Sequence, residues 1–595
     1  MKSFLKIVIG TMVGIMLLVF LVFMIGVGSV AKMSQSSKVT IKSNSVLKTS
    51  LAMPIGERGQ ENPFEDLDLP IAAGPAGKVG LDDIKRAFSQ AKDDASIKGI
   101  YLDISGMSAG WAQSEDIRNA LLDFKESGKF IIAYGEGISQ KAYYVASVAD
   151  KIYLNPSGIL ELKGFAAELQ FFKNALEKLE VEPVIFYAGK FKSATEPFRL
   201  TAMSEANKEQ TKVFLEDFYD NFLEKVAIQR GKSEENLNDI IDNLKIREAE
   251  DAVTHGMVDE VIYEDAVYDK IRENIGLDSE EKINFVSLQK YTKTLSKSSG
   301  FGKDKIAVVY ADGNIVDGKG TIENIGSDRF KAILQKIRRD DKVKALVMRV
   351  NSGGGSALAS DIIWNEIEQF KEKGIPVVTS MSNYAASGGY YIAANSNKIF
   401  AERTTLTGSI GVFGMLFDMD EFYNNKLGIT FDNVKTTQYS DFPTSALLSG
   451  DLTELEKAVI QNSIDKIYIQ FKQRVADGRN MTMEQVEEVA QGRVWTGKQA
   501  VEQGLVDELG DLDDAIAHAA ELAGMDDYRE SSYPRKKDAM QQILDKLSGK
   551  EEDLVSSYMA NSQFAGIFKQ YKAIEDLVGS ANRAQMKMPF TIEIK

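Results

Sequence analysis

The chain has 595 residues, with 71 Lys and Arg against 87 Asp and Glu for a net charge of −16, two histidines and no cysteine. This length implies several domains, each large enough for its own core. The acidic balance argues against a nucleic-acid footprint, which calls for a basic face, and the lack of cysteine excludes thiolate chemistry, disulfides and a Cys-ligated zinc.

From the N-terminus, Lys2 and Lys6 precede an uncharged run over residues 7–31. About 20 apolar residues cross a bilayer, whereas the apolar region of a cleaved leader spans about 7–15. Residues 1–32 are therefore expected to form an uncleaved membrane anchor, despite the small residues Ser29-Val30-Ala31. Lys32, Lys38 and Lys42 balance the basic N-terminus, so charge alone does not orient it. A short basic N-terminus ahead of a long chain places the body on the extracytoplasmic side. Residues 33–45 have the polar composition of a tether, and residues 57–77, with Pro63, Pro70 and Pro75, that of a loop.

Alternating elements follow. A β-rich run at 100–104, helical spacing at 115–125 and a β-rich run at 130–134 return as 345–350, 359–371 and 377–379. Strands alternating with helices imply right-handed crossovers and an α/β fold with mostly parallel sheets. Residues 292–305, rich in Ser, Lys, Thr and Gly, are the expected linker between a first domain at 46–291 and a second at 305–524. Residues 525–595 show no repeat partner and are expected to be a helical extension closing with a strand at 590–594.

The halves are copies. Tyr143-Tyr144-Val145-Ala146 returns as Tyr390-Tyr391-Ile392-Ala393, 247 positions on, and Gly256-Met257-Val258-Asp259-Glu260 returns as Gly504-Leu505-Val506-Asp507-Glu508, 248 positions on. The copies differ where chemistry is expected. After the strand at 345–350 the second half has Asn351-Ser352-Gly353-Gly354-Gly355-Ser356, whose backbone N–H groups can face an oxyanion without interference from Cβ atoms. No Gly-Lys-Ser/Thr follows, so this is not a phosphate loop of the Walker type. Ser409, in Thr407-Gly408-Ser409-Ile410-Gly411, stands where the first copy has Leu162. A serine nucleophile needs a base, and neither His255 nor His518 is placed to serve. A desolvated lysine can serve instead. Lys192, in Gly189-Lys190-Phe191-Lys192-Ser193-Ala194, is the candidate, and its counterpart in the second half is Ser440.

On Val350-Asn351-Ser352-Gly353-Gly354-Gly355-Ser356, Ala386-Ser387-Gly388-Gly389-Tyr390-Tyr391, Leu406-Thr407-Gly408-Ser409-Ile410-Gly411 and Lys192-Ser193-Ala194, the chain resembles signal peptide peptidase A, or protease IV, in its long duplicated form. The resemblance implies a Clp protease or crotonase-like fold in each half and a Ser-Lys dyad without metal or cofactor. It makes Ser409 the nucleophile and Lys192 the base, with the N–H groups of Gly354, Gly355 and Ile410 around the oxyanion. It further implies remnant signal peptides as substrates, a membrane-anchored homotetramer and a place on the outer face of a bacterial inner membrane. The family's loop often has proline at the position of Gly353. Thr436, Thr437 and Ser440 are candidates for a further hydroxyl that positions the lysine. Activity is expected to fall as pH drops through the lowered lysine pKa. Two rivals are a CoA-thioester enzyme of the crotonase type and an inactive membrane scaffold.

Overall fold

Strands covered on both faces show unbroken apolar runs in place of alternation, and the computed structural model arranges such runs into two sheets. It describes residues 40–59, 78–295, 302–442, 452–536 and 584–588, together with Gly14. The expected anchor (Gly14 apart), the expected strand at 590–594 and the middle of the expected linker fall outside the described residues. Among the described residues no helix is long and apolar enough to cross a membrane.

The first half contributes β1 (Ser45–Leu51), β2 (Ile97–Met107), β3 (Phe130–Gly135), β4 (Lys151–Leu154), β5 (Glu182–Ala188), β6 (Glu260–Val261) and β7 (Asn284–Ser287). All but β5 form a six-stranded sheet in the order β6-β4-β3-β2-β1-β7, parallel throughout. Helices α1 (Trp111–Lys125), α2 (Gln140–Ala146) and α3 (Glu205–Arg230) follow β2, β3 and β5.

The second half contributes β8 (Lys305–Asp312), β9 (Asn314–Val316), β10 (Asn324–Gly326), β11 (Val343–Ser352), β12 (Gly354–Ser356), β13 (Val377–Ala386), β14 (Lys398–Ala401), β15 (Leu406–Gly408), β16 (Val412–Asp418), β17 (Val494–Thr496), β18 (Glu508–Leu509), β19 (Arg529–Tyr533) and β20 (Gln585–Lys587), with α4 (Ala357–Glu372) after β12 and α5 (Gly388–Ala393) after β13. Its parallel path β18-β14-β13-β11-β8-β19 repeats the first half strand for strand. The later part of β13 also pairs with β15, which in turn pairs antiparallel with β17.

Two sequence expectations change. Residues 529–533 are a strand lying beside β8 as β7 lies beside β1, so the repeat runs past residue 524. An edge strand of this kind is fixed by its partner and carries little local periodicity. β13 runs to Ala386, well beyond the apolar residues 377–379, because its polar residues are buried and bonded: Ser380 Oγ accepts from Arg349, and Ser382 Oγ donates to Glu57.

A third sheet joins the halves, in the order β10-β9-β12-β20-β16-β5. β5 and β16 pair antiparallel along their whole length, from Glu182 opposite Asp418 to Ala188 opposite Val412. The cores interlock at the same seam, since the first half's apolar cluster takes in Ala386, Leu406 and Val494, and the second half's takes in Phe186. Arg349, fully buried, completes the join: Nε donates to Glu57 at 2.7 Å and Nη2 to Asp116 at 3.0 Å.

Candidate active site

The β5–β16 pairing decides what meets. Ala188, at the end of β5, faces Val412, at the start of β16, so the loop leaving β5 and the turn entering β16 lie at one end of the sheet. Lys192 is on the first and Ser409 on the second. Lys192 Nζ is 3.1 Å from Ser409 Oγ, 3.0 Å from Ser409 O and 2.8 Å from Ser387 Oγ. The side chain is 1 % exposed, and burial without a neighbouring carboxylate holds its pKa well below the ordinary lysine value.

Residues 491–493 are wedged between the loop and the turn. Gln491 O accepts from Phe191 N–H at 2.8 Å, Gly492 N–H donates to Ile410 O at 2.7 Å, and Arg493 O accepts from Ser409 N–H at 2.7 Å. Gly492 has φ +78°, and a methyl group there would come within 2.7 Å of the Lys192 backbone, so only glycine fits.

Ser387 occupies the sharp turn between β13 and α5, with φ 56° and ψ −116°. A strained serine between a strand and a helix is the geometry that presents a nucleophilic oxygen. Ser387 N–H donates to Gly408 O at 2.8 Å, which locks the two serine turns together. The glycine loop packs on the Ser387 side. A methyl on Gly354 would lie 2.7 Å from Gly388 N, and one on Gly388 would lie 3.2 Å from Gly354 Cα. Gly388 heads α5, where first-turn N–H groups have no intrahelical acceptor. Gly354 N–H donates to Ser352 Oγ at 3.1 Å, and Gly355 pairs with Ile315 and Met586 in the third sheet.

Lys192 and Ser409 are thus brought together as expected, with Gly354 and Gly355 across Ser387 from them. Ile410 lies at the other turn, fully buried, its carbonyl held by Gly492. The hydroxyl expected from Thr436, Thr437 or Ser440 is not theirs: all three are exposed, and Ser440 Oγ donates to Thr437 O. Ser387 is the additional hydroxyl at Nζ, and the repeat could have exposed it, because its counterpart 247 positions earlier is Gln140. In the first half the Gln140 amide closes the equivalent turn, accepting from the N–H groups of Lys163 and Gly164 and donating to Gly164 O. Leu162, opposite Ser409, is core. His518 bonds Glu521 on an exposed helix face, and His255 caps a short helix. Among the described residues no group of three or more His, Cys, Asp or Glu could hold a metal ion.

The model of Peptidase family S49 matches residues 123–278 and again 369–526. Protease 4 of Salmonella typhi is 38 % identical over 477 residues, covering 79 % of this chain and 76 % of the relative. The chloroplastic serine protease SPPA of Arabidopsis thaliana is 35 % identical, over 75 % of this chain and 66 % of the relative. Among solved structures, a ClpP1 mutant from Listeria monocytogenes aligns with a TM-score of 0.24 at 15 % identity, over 35 % of this chain and 94 % of that one. The fold rests on the strand order itself. With the family's model matched in both halves and relatives that extend across both, the chain belongs to peptidase family S49, as a serine peptidase of the long, duplicated protease IV type.

Proposed function

We propose that the chain hydrolyses peptide bonds with Lys192 as general base and Ser387 as nucleophile, and that Ser409, the nucleophile expected from sequence, holds the lysine. The observation that carries this reading is the 2.8 Å contact between a buried lysine and the serine that lies between a strand and a helix beside the glycine loop. A neutral amine has two N–H bonds and one lone pair. Ser409 O can only accept, so it takes one N–H, and on this assignment Ser409 Oγ takes the other. The lone pair is left for the Ser387 hydroxyl.

Lys192 then removes the Ser387 proton, the oxygen attacks the scissile carbonyl, and the developing charge meets the Gly388 N–H and, once it leaves Ser352 Oγ, the Gly354 N–H. Lysinium protonates the leaving amine, and a water deprotonated by Lys192 releases the acyl group from Ser387. Activity should be lost as pH falls through the lowered Lys192 pKa and should be regained above it. A rate that stays constant from pH 9 down to about pH 5 in steady-state peptide hydrolysis would rule Lys192 out as the base.

A strand already bridges the sheet beside this site. β20 lies between β12 and β16, with Lys587 opposite Gly354 and Gln585 opposite Phe413. Peptide substrates are received there as an added strand through main-chain hydrogen bonds, so an incoming peptide must exchange with β20. A chain shortened to end at residue 583 is expected to cleave a short fluorogenic peptide several-fold faster at low substrate concentration. An unchanged rate would place peptide binding elsewhere.

The finer reading follows the family. Remnant signal peptides, which are apolar and extended, are the proposed substrates. The anchor expected at 1–32 would hold the site at the outer face of the inner membrane, in a homotetramer. Serine-directed fluorophosphonate labelling and digestion of a signal peptide in detergent test the activity, and failure of both would remove it.

A further inference from the structure

We propose that Gln210 is a positioning residue that sets the separation between Lys192 and the serines it serves. Gln210 lies in the second turn of α3, buried, on a helix of the first half. Its amide nitrogen donates to Phe191 O at 3.3 Å and Ser193 Oγ at 3.1 Å, the residues immediately before and after Lys192. A third contact, 3.1 Å to Asn207 Oδ1, fixes the amide's orientation. The amide oxygen accepts from Val494 N–H, in the second half, at 3.2 Å.

The Val494 N–H and the Arg493 C=O belong to one peptide unit. Its carbonyl accepts from Ser409 N–H at 2.7 Å, while its N–H donates to Gln210. A single peptide plane therefore has the Ser409 turn on one side and, through Gln210, both neighbours of Lys192 on the other. No other side chain among the described residues is bonded to both flanks of the lysine and to this strand. The registration matters because the base and the nucleophile come from different halves, and a displacement of about 1 Å at such a site costs about 100-fold in rate.

The charged groups around this link include Lys190 over the Phe191 ring, Glu196 and Arg199 after Lys192, Lys208 and Glu209 on α3, Asp217, which accepts from Thr496 on β17, and Arg493, which pairs with Glu209 at 3.7 Å. Glu196 is occupied by Ser204 and Asn207, and no carboxylate bonds Nζ. A carboxylate placed at position 210 would put an acidic group beside the residues flanking Lys192, able to accept from Ser193 Oγ but not to bond the Phe191 carbonyl.

Gln210→Leu removes every bond of the link, and Gln210→Glu keeps its size and its acceptor for Val494 while adding charge and losing the N–H bonds to Phe191 O and Asn207 Oδ1. Both are measured in the full-length chain, as kcat and KM for a fluorogenic peptide from pH 5 to 10. The expected result for Gln210→Leu is a kcat about 10- to 100-fold lower with KM within about two-fold. For Gln210→Glu the pH midpoint moves upward, because a nearby negative charge favours lysinium, and activity recovers in part at high pH, the bond to Phe191 O being absent at every pH. Rescue by pH separates positioning from folding. Wild-type kcat and midpoint in both variants would overturn the proposal. So would a loss of activity that merely follows the folded fraction by circular dichroism, with the midpoint unmoved.

Discussion

Ser387→Ala is expected to abolish peptide hydrolysis, with kcat at least about 1,000-fold lower, and to abolish labelling by a fluorophosphonate. Ser409→Ala should retain labelling at Ser387 and lose about 10- to 100-fold in rate, the scale of misplacing a catalytic group by up to about 1 Å. The asymmetry follows from what surrounds each oxygen. Ser387 has the glycine loop beside it and the N–H of Gly388 next in the chain, so an oxyanion formed on its acyl adduct meets donors. Ser409 is enclosed by Lys192, Gly492 and Arg493, and its carbonyl as well as its hydroxyl is spent on Nζ. Mass spectrometry of the labelled peptide decides directly. Adduct on Ser409, or full labelling of Ser387→Ala, would reverse the two roles and restore the expectation from sequence.

Comparison of the two copies alone does not separate Ser409 from Ser387. Comparing the copies asks which reactive residue one half retains and the other has lost, and both serines pass: Ser409 faces Leu162, and Ser387 faces Gln140. Spacing cannot show which turn the glycine loop covers, and backbone strain does not separate the two either, since Ser387 and Ser409 both have positive φ, 56° and 49°. Lys192 was legible because a lysine between a β-rich run and a helix, absent from the other copy, has few structural reasons to be there. Thr436, Thr437 and Ser440 misled because repeat arithmetic assumes that equivalent positions occupy equivalent surroundings. The seam breaks that symmetry, burying Lys192 and leaving residues 431–440 exposed.

The two parallel sheets were legible for a simpler reason. β2, β3 and β11 are apolar runs flanked by turn signals, and a strand buried on both faces announces itself locally. The third sheet does not. β12 is Gly354-Gly355-Ser356, with no strand propensity, and β5 finds its partner in the other half of the chain. Pairings of that range are decided by tertiary packing, and they are what bring Lys192 to its serines.

The same seam supports the second large prediction. Arg349→Ala is expected to destabilise the chain by about 3–5 kcal/mol, the cost of leaving buried charges without their partner. Arg349 and its hydrogen bonds hold the Glu57 carboxyl below its ordinary pKa against the opposing effect of burial. Glu402, buried beside Asp116 and Glu115, is pushed well above its ordinary value by burial and by those neighbours, and Glu115 is pushed to about 7. The cluster therefore holds one carboxylate that must be charged and others that fold more readily protonated. With Arg349 present, the Glu57 contribution to stability exists above the unfolded carboxylate pKa and is lost as pH falls through the lower folded value. Without Arg349, Glu57 joins the carboxyls whose folded pKa is raised, so the sign inverts: Arg349→Ala should gain stability relative to wild type as pH is lowered from 8 towards 5. Glu402→Gln, which supplies a neutral group at neutral pH, should raise stability in either background. Thermal unfolding midpoints across that range test both, and a destabilisation of Arg349→Ala that does not vary with pH would mean that the seam is held by packing alone. Because the halves supply Lys192 and Ser387 separately, loosening the seam should also end fluorophosphonate labelling at temperatures below those at which the parallel sheets melt.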